Sequence, residues 1–372
     1  MVAADIRSRK ITRAPLLLRY GDRCDPDGME MPLTSIRPHS GRRQVSLIMK
    51  EKITGPMVWK GSELAQDRSW IHKLSSNEVA ALDDALSKVK ALGKTFPNFG
   101  KDDFSIPSWT DTLNGLADEL ENGLGFLVMR GLPVERYSED EINIIYYGIG
   151  LNLGIPVRQN PKGDLIGKVM NIGDPEDKAT RVYETNAFLP FHTDPSDVVG
   201  LLCLRKARLG GDSCLVSVAS VYNEILEKFP EYLGLFYRPW YYAHLGEDLP
   251  SLSPLFSYNE GKLGFRYLRQ YIELGHEIMG MPLSRVEIEA LDLFDSIAQK
   301  EDLRLDMLLE PGDLQWANNY TVLHSRTDFE DFDDPLRRRK KLRLWLKMPN
   351  ARKLAPDFPG RNGFPVPEHT TA

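Results

Sequence analysis

Apolar residues recur along this chain with helical spacing in some segments and with strand-like alternation in others. Three of the helical segments begin with Ser-x-x-Glu, at Ser75, Ser138 and Ser284, which is the spacing of an N-terminal capping box. The pattern therefore predicts helices that cover about residues 76–92, 111–121, 138–147, 221–229 and 285–299.

Strand patterns fill much of the remaining chain. Phe126–Met129 is a short continuous apolar run, typical of a buried strand. Pro311–His324 is interpreted as a turn, a strand, a turn at Asn318-Asn319 and a second strand that ends at His324. The helices mostly precede or interrupt the strands, which favours an α+β fold, a barrel with helices packed on one face.

The segment Arg339–Lys347 alternates with period two, so its residues belong to two faces of one strand. The apolar face carries Leu342, Leu344 and Leu346, and the opposite face carries Arg339, Lys341, Arg343 and Trp345. Arg337, Arg338 and Lys340 are interpreted as solvated residues of a basic edge strand.

Composition favours one large domain with shorter segments at both ends. A chain of 372 residues with 42% hydrophobic residues can bury a sizeable core. Residues 1–54 have mixed charge and no sustained periodicity, so we expect an extended N-terminal arm. Residues 55–350 are predicted to form the single domain, followed by a C-terminal tail over residues 351–372.

Charge and cysteine content narrow the class of protein. The formal net charge of −6 argues against a nucleic-acid partner. No apolar run is long enough to span a bilayer, so no membrane partner is expected. The three cysteines match neither a disulfide framework nor a zinc motif, which predicts reduced thiols and a cytoplasmic location.

Candidate metal ligands are separated by more than a hundred residues. His192 and Asp194 are two residues apart, so both side chains project to the same side of an extended segment. A third ligand, His324, completes a set of two imidazoles and one carboxylate, which suits non-heme Fe(II) with open coordination positions for oxygen chemistry. Zinc is the main alternative metal, because the same set with one open position also serves hydrolases.

Two arginines on the basic face of the last strand are candidates for anion binding. Arg339 and Arg343 are four residues apart on a strand and therefore share a face. A guanidinium group binds a carboxylate through two parallel hydrogen bonds. This pair is therefore predicted to bind a dicarboxylate co-substrate or an anionic substrate near the metal.

These motifs occur in an order that resembles the taurine dioxygenase (TauD/TfdA-like) family of iron- and 2-oxoglutarate-dependent oxygenases, in its fungal-type branch. The resemblance covers most of residues 55–350 and is carried by Gly55–Gly61, Gly125–Pro133, Leu189–Asp194, Leu201–Ala207, Gly210–Ser213, Val221–Glu224, Leu305–Trp316, Asn318-Asn319, Leu323–Thr327 and Arg338–Leu346. It implies a double-stranded β-helix (jelly-roll) core with flanking helices and a metal site between the two sheets.

The resemblance also implies roles for single residues. His192, Asp194 and His324 match the Fe(II) ligands. Arg339 matches the arginine that binds the distal carboxylate of 2-oxoglutarate, and Ser213 occupies the position of a Thr hydroxyl on that carboxylate.

Arg343 matches a second arginine that contacts either the co-substrate or an anionic substrate group. The chain departs from the family pattern at Lys340-Lys341, where His or an apolar residue is expected. This departure leaves open which of Arg339 and Arg343 binds the co-substrate.

By the same resemblance, the chain is expected to use Fe(II), 2-oxoglutarate and O2 to oxidise a small organic substrate in secondary metabolism. Hydroxylation, desaturation and cyclisation all remain open, and each releases succinate and CO2. A surplus arginine favours an anionic or zwitterionic substrate. Candidate substrate-binding residues are Tyr183, Thr185, Asn186 and Arg326.

Other functions and assemblies remain open on the sequence. A zinc-dependent hydrolase would use the same His/Asp/His set without 2-oxoglutarate. A protein or histone demethylase-like oxygenase would share the fold and the triad. The sequence also allows a homo-oligomer.

Overall fold

Two β-sheets that pack face to face form the centre of the fold. The structure is a computed structural model, and it describes residues 48–172, 184–244 and 247–364. Within those residues the helices are α1 Gly61–Leu64, α2 Ser76–Ala91, α3 Thr110–Asn122, α4 Glu139–Leu153, α5 Val218–Lys228, α6 Pro230–Tyr237, α7 Arg269–Ile278 and α8 Arg285–Ala298. The strands of the same residues are β1 Ile71–Lys73, β2 Phe126–Arg130, β3 Ile155–Pro156, β4 Ile166–Val169, β5 Leu189–His192, β6 Val198–Arg205, β7 Leu209–Gly210, β8 Ser213–Ser217, β9 Trp240–Tyr242, β10 Ser251–Ser253, β11 Phe256–Asn259, β12 Lys262–Phe265, β13 Leu305–Met307, β14 Leu314–Asn318, β15 Val322–Arg326, β16 Phe329–Glu330 and β17 Lys340–Lys347.

The larger sheet has the strand order β1-β2-β14-β6-β17-β3, and β4 also pairs with β17. Because β17 has neighbours on both sides, the prediction of a solvated edge strand is wrong. Lys340 is buried and forms an ion pair with Glu139. Arg338 is half-buried, and only Arg337 is exposed as predicted. The pairing partners of a strand are set by distant segments, which its own sequence does not specify.

The smaller sheet has the strand order β13-β8-β15-β5 and carries two of the candidate metal ligands. His192 of β5 lies directly opposite His324 of β15 in the strand register. His324 is the third of the five residues of β15, so the prediction that it ends a strand is wrong by two residues. At this central position, His324 is paired with β5 on one side and with β8 on the other.

The two sheets enclose an apolar layer, and its residues show that the faces of β17 alternate as predicted. Trp345 belongs to this layer, together with Phe126, Val128, Val199, Cys203, Leu215, Ala317 and Val322. Leu342, Leu344 and Leu346 instead pack against the helices outside the larger sheet. Arg339, Lys341 and Arg343 therefore point to the inside of the barrel, as the alternation predicts.

The helices cover the outer faces of both sheets, so the prediction of helices on one face is wrong. Helices α2, α3 and α4 pack on the larger sheet, whereas α5, α6, α7 and α8 pack on the smaller one. Each sheet has a second apolar face, which points away from the other sheet and is buried by its own set of helices. The capping boxes at Ser75, Ser138 and Ser284 are confirmed.

Helix α4 continues six residues beyond its predicted end at Tyr147. Its two glycines allow close packing, because a Cβ atom at Gly148 would lie 2.3 Å from Phe104 and one at Gly150 would lie 2.4 Å from Leu344. Tertiary contacts thus stabilise a helix through residues of low helix propensity.

The described residues form one compact unit. Most of the predicted arm, residues 1–54, lies outside the described residues and stays a prediction. Its described end packs on α5, where the backbone N–H of Ile53 donates to Asn223 and the Asn223 side chain donates back to Ile53. At the other end, the backbone N–H of Gly363 donates to Pro195 O, beside the candidate metal ligands. Within the described part of the chain, no helix has the length and apolar character needed to cross a membrane.

Candidate active site

Three buried side chains from two neighbouring strands meet at the mouth of the barrel. His192 is the last residue of β5, Asp194 follows two residues later, and His324 lies on the adjacent strand β15. One ligand atom from each of the three lies within 4.8 Å of the other two. The imidazole rings are 4.2 Å apart between centroids. The structure thus brings together the three predicted metal ligands.

In each of the two histidines, Nε2 is the ring nitrogen nearest to Asp194 and has no hydrogen-bond partner among the described residues. Nδ1 of His192 lies 2.8 Å from the carbonyl oxygen of Pro190, which can only accept, so Nδ1 carries the proton and Nε2 is the free nitrogen. Nε2 of His324 is buried and has no hydrogen-bond partner. Burial lowers the pKa of His192, and burial followed by the proximity of His192 lowers the pKa of His324 to about 3. Both rings are neutral and can ligate a metal.

The side chains of the three candidate ligands lie close together without bonding directly to one another. His192 Nε2 is 4.0 Å from Asp194 Oδ1, and His324 Nε2 is 3.9 Å from Asp194 Oδ2. These separations exceed hydrogen-bond length. Two ligand atoms that each lie about 2.1 Å from one cation are about 3.0 Å apart at a right angle, so these side chains must close in by about 1 Å to hold a metal.

Asp194 is held by three residues from two other segments, β17 and the turn at Asn319. The indole Nε1–H of Trp345 donates to Oδ2 at 2.9 Å, and Nη1 of Arg343 lies 3.4 Å from Oδ1. The backbone N–H of Asp194 donates to Oδ1 of Asn319 at 2.9 Å. Burial acts to raise the pKa of Asp194, but Arg343 and the other nearby groups outweigh it and lower the pKa. The carboxylate is therefore kept ionised for a cation.

Arg343 is positioned at the metal end of the barrel by a glutamine. Its Nε donates to Gln159 Oε1 at 2.8 Å, and the amide of Gln159 donates to the backbone carbonyl of Arg343 at 2.6 Å. The guanidinium also lies 4.6 Å from the ring centroid of Trp345. Arg343 thus orients the carboxylate of Asp194.

Sequence reasoning missed Gln159, Asn319 and Trp345 as parts of this site. Trp345 is buried, and its indole N–H binds Asp194. The predicted alternation already put Trp345 on the inward face with Arg343, which was a usable signal. Asn319 was interpreted only as a turn residue, and Gln159 had no local signal.

A second group of buried cations lies deeper along the same inward faces. Arg326 of β15 and Arg339, which immediately precedes β17, both stack on the ring of Phe329, with centroid distances of 4.8 Å and 5.0 Å. Nε and Nη1 of Arg326 and Nη1 of Arg339 are buried without hydrogen-bond partners. Unpaired buried guanidinium donors are suited to bind an anion.

The predicted co-substrate serine borders this cation group. Ser213 of β8 lies opposite Arg326 in the strand register. Ahead of it, Gly211 has a φ of +78°, and a Cβ atom there would lie 3.2 Å from Arg339 Nε. The glycine thus allows the chain to turn close to the guanidinium group.

The predicted substrate residues lie in different settings. Tyr183 falls outside the described residues. Thr185 is buried, and its hydroxyl accepts from the backbone N–H of Ala187. Asn186 is exposed, and its amide donates to the backbone carbonyl of Phe329. Arg326 lies beside Arg339 in the cation group.

The chain is similar in sequence to a known protein family and to two characterised relatives. A profile of the "Taurine catabolism dioxygenase TauD, TfdA family" matches residues 88–345. FR-33289 synthase of Streptomyces rubellomurinus is 31% identical over 82% of this chain and 93% of its own length. The taurine hydroxylase-like protein SAT17 of Stachybotrys chartarum is 28% identical over 81% of both chains.

Solved structures share the fold at lower identity. An asparagine oxygenase in complex with Fe(II), 3-hydroxyasparagine and succinate has a TM-score of 0.60 and 18% identity, and the match covers 74% of this chain and 93% of that one. The non-heme iron oxygenase OrfP, in complex with Fe, succinate and dihydroxy-arginine, has a TM-score of 0.56 and 14% identity, with 76% and 99% covered. The predicted jelly-roll fold is confirmed.

Proposed function

The chain belongs to the taurine catabolism dioxygenase TauD, TfdA family, and on that premise we propose that His192, Asp194 and His324 hold the Fe(II) of its active site. As a family member, the protein is a dioxygenase that uses Fe(II), 2-oxoglutarate and O2. The alternative of a zinc-dependent hydrolase has no support in this family. The observation that carries the proposal is the buried convergence of three ligand atoms within 4.8 Å, with His324 Nε2 left without a partner.

When bound, the iron supplies oxygen activation coupled to the conversion of 2-oxoglutarate to succinate and CO2, which allows a C–H bond of the substrate to be oxidised. The chain's own residues hold the reactants in place. The Pro190 carbonyl fixes the tautomer of His192, which directs Nε2 toward the metal. Trp345 and Arg343 orient the carboxylate of Asp194 and keep it ionised.

We assign the binding of the distal carboxylate of 2-oxoglutarate to Arg339 and Ser213. Arg339 is 3% exposed and has an unpaired Nη1. Ser213 lies on the opposite sheet, where it is the register partner of Arg326 and follows Gly211, which borders the Arg339 guanidinium. Arg343 is the alternative co-substrate arginine. Its contacts with Asp194 and Gln159 support a position at the metal end instead.

We propose that the substrate is a small anionic or zwitterionic molecule, which is hydroxylated, desaturated or cyclised. The asparagine oxygenase and OrfP structures contain hydroxylated amino acids, which are zwitterions of this kind. Tyr183, Thr185 and Asn186 are the candidate contacts, because their segment leads into β5 and the metal ligands. The names of the curated relatives support a place in secondary metabolism.

We further propose that the protein acts in the cytoplasm without a nucleic-acid or membrane partner. The free, buried thiols of Cys203 and Cys214 are compatible with a reducing compartment. A homo-oligomer stays a prediction.

Anaerobic visible absorption tests the proposed function without knowledge of the substrate. Fe(II) and then 2-oxoglutarate are added to metal-free protein, and a charge-transfer band is expected only when both are present. The band should disappear in His192→Ala and require much more 2-oxoglutarate in Arg339→Met. A wild-type protein that binds Fe(II) and 2-oxoglutarate no better than His192→Ala would contradict the proposal.

A further inference from the structure

Lys341 is a buried lysine on the inward face of β17, between Arg339 and Arg343. It is 3% exposed and lies opposite Cys203 of β6 in the strand register. No hydrogen bond or ion pair of its Nζ is found among the described residues. Its neighbour Lys340 faces outward and is ion-paired with Glu139. Two adjacent lysines of one strand thus have opposite environments.

Lys341 adds a third positive charge to the group formed by Arg326 and Arg339. The charge of Arg339 acts on both Lys341 and Arg326, and all three side chains are at most 4% exposed. None of the three forms an ion pair within residues 48–172, 184–244 and 247–364. The nearest carboxylates that influence them are Asp212, Asp328 and Asp331.

Those carboxylates do not neutralise the group by direct contact. Asp331 accepts a hydrogen bond from the backbone N–H of Arg339, not from its guanidinium. The described contacts of Asp212 and Asp328 in this region run through their backbone groups and join them to Gly211 and Thr327. Nη2 of Arg326 donates to the backbone carbonyl of Ala187, but none of the three cations is paired with a carboxylate of the described residues, which is costly unless a ligand supplies the negative charge.

A structural role for the Lys341 ammonium is a poor explanation of its position. Its register partner Cys203 belongs to the apolar layer between the sheets, and an apolar side chain at position 341 would not require desolvation of a charge beside Arg326 and Arg339. The resemblance to the family also leads one to expect His or an apolar residue in this two-residue segment. The buried lysine thus lowers the stability of the ligand-free protein, which favours a role for it in ligand binding.

We propose that Lys341 and Arg326 complete, with Arg339, a three-cation pocket for the distal carboxylate of 2-oxoglutarate, and that Lys341 makes the enzyme select dicarboxylic over monocarboxylic 2-oxo acids. This inference rests on the proposed function and extends its co-substrate site. It gives Arg326, which the sequence suggested as a substrate residue, a role in co-substrate binding instead. The unpaired Nε and Nη1 of Arg326 and Nη1 of Arg339 supply the donors on the other sides of the pocket.

The test compares two 2-oxo acids that differ only at the distal end. 2-Oxoglutarate carries the distal carboxylate, and 2-oxopentanoate has a methyl group in its place. Binding of each to the anaerobic Fe(II) protein is measured by calorimetry and by the absorption band. Lys341→Met should weaken 2-oxoglutarate binding about tenfold or more, because it removes a charged donor. Its affinity for 2-oxopentanoate should stay within about twofold of wild type.

Lys340→Met is the matched control, since it makes the same substitution one residue away on the outward face. It should leave both affinities unchanged. Arg326→Met should reproduce the selective loss of 2-oxoglutarate affinity. The melting temperature of ligand-free Lys341→Met should equal or exceed that of wild type, because an unmatched buried charge is removed.

The outcomes separate this inference from the proposed function. Equal losses of affinity for 2-oxoglutarate and 2-oxopentanoate in Lys341→Met would indicate a structural role and overturn the inference. Unchanged 2-oxoglutarate affinity in Lys341→Met, with reduced affinity in Arg339→Met, would also overturn it. Failure of wild-type protein to bind 2-oxoglutarate at all would instead refute the proposed function, and this inference with it.

Discussion

The metal end and the anion end of the barrel interior differ in how far their charges are matched. At the metal end, Asp194 is oriented by Trp345 and Arg343, and both histidines are neutral. At the anion end, Arg326, Arg339 and Lys341 are buried together without an ion pair in the described residues. The carboxylate of the first end has partners within the protein, whereas the second end depends on a ligand for its negative charge.

Two strands, β15 and β17, contribute residues to both ends, and this constrains the separation of the ends. β15 carries His324 and, two residues later, Arg326, while β17 carries Lys341 and, two residues later, Arg343. Alternate residues of a strand are about 6.7 Å apart and share a face. A rigid strand thus sets the distance between the metal and the distal carboxylate of its co-substrate.

The largest effect is expected from removing a metal ligand. His324→Ala should weaken Fe(II) binding by more than about 100-fold, since losing a ligand costs more than losing the groups that orient one. Anaerobic Fe(II) titration measures this change. His72→Ala, which alters a half-buried histidine paired with Glu78, is the control and should bind Fe(II) as wild type does. Normal Fe(II) affinity in His324→Ala would rule out the assigned triad.

The next largest effect should occur at the anion end. Arg339→Met should weaken 2-oxoglutarate binding by about 30-fold or more, because the distal carboxylate loses its bidentate partner. Fe(II) affinity should not change. Calorimetry with 2-oxoglutarate provides the measurement. If Arg343→Met shows the selective loss and Arg339→Met does not, the assignment of the two arginines must be reversed.

A smaller effect is expected from loosening the metal end without removing a ligand. Trp345→Phe keeps an aromatic ring in the core but deletes the indole N–H that binds Asp194. Fe(II) affinity should fall by about tenfold, the usual effect of removing a group that orients a metal ligand. Trp316→Phe, on the outward face of β14, is the control for the loss of an indole. Equal Fe(II) affinities of Trp345→Phe and wild type would show that the hydrogen bond does not orient Asp194.

The smallest effect should be a pH dependence that belongs to the anion end alone. Burial, followed by the charge of Arg339, lowers the pKa of Lys341 to about 7 in the ligand-free protein. A bound carboxylate should raise that pKa, so binding takes up a proton and 2-oxoglutarate affinity should fall as pH rises above about 7. The fall should be at most about tenfold per pH unit and reach a plateau below about pH 7.

Lys341→Met separates this dependence from other titrations in the site. The charged and titratable groups around Lys341 are Arg326, Arg339, Cys203 and Asp212. Burial raises the pKa of Cys203 and lowers that of each arginine only to about 10, so these three groups should not titrate near pH 7. Calorimetry at several pH values should give a flatter profile for Lys341→Met, and an unchanged profile would assign the dependence to another group.

Local features of the sequence determined much of the secondary structure and the chemical class of the site. The Ser75, Ser138 and Ser284 capping boxes involve residues three apart, so they can be recognised without the fold. The alternation in Arg339–Lys347 likewise identified the inward-facing residues of β17. The predicted triad required His324 to lie beside His192, although 131 residues separate them in the chain. That contact was expected from the order of the motifs, which resembles the family.

Only the tertiary structure decided how these pieces constrain one another. Strand pairing makes β17 an interior strand, places Trp345 and Asn319 on Asp194, and assembles Arg326, Arg339 and Lys341 into one group. These contacts depend on burial and on partners distant in the chain, which periodicity does not encode. The sequence by itself determined which residues could bind iron and an anion. The fold decided which of these charged groups are paired within the protein and which need a ligand as a partner, because only the folded chain buries them away from water.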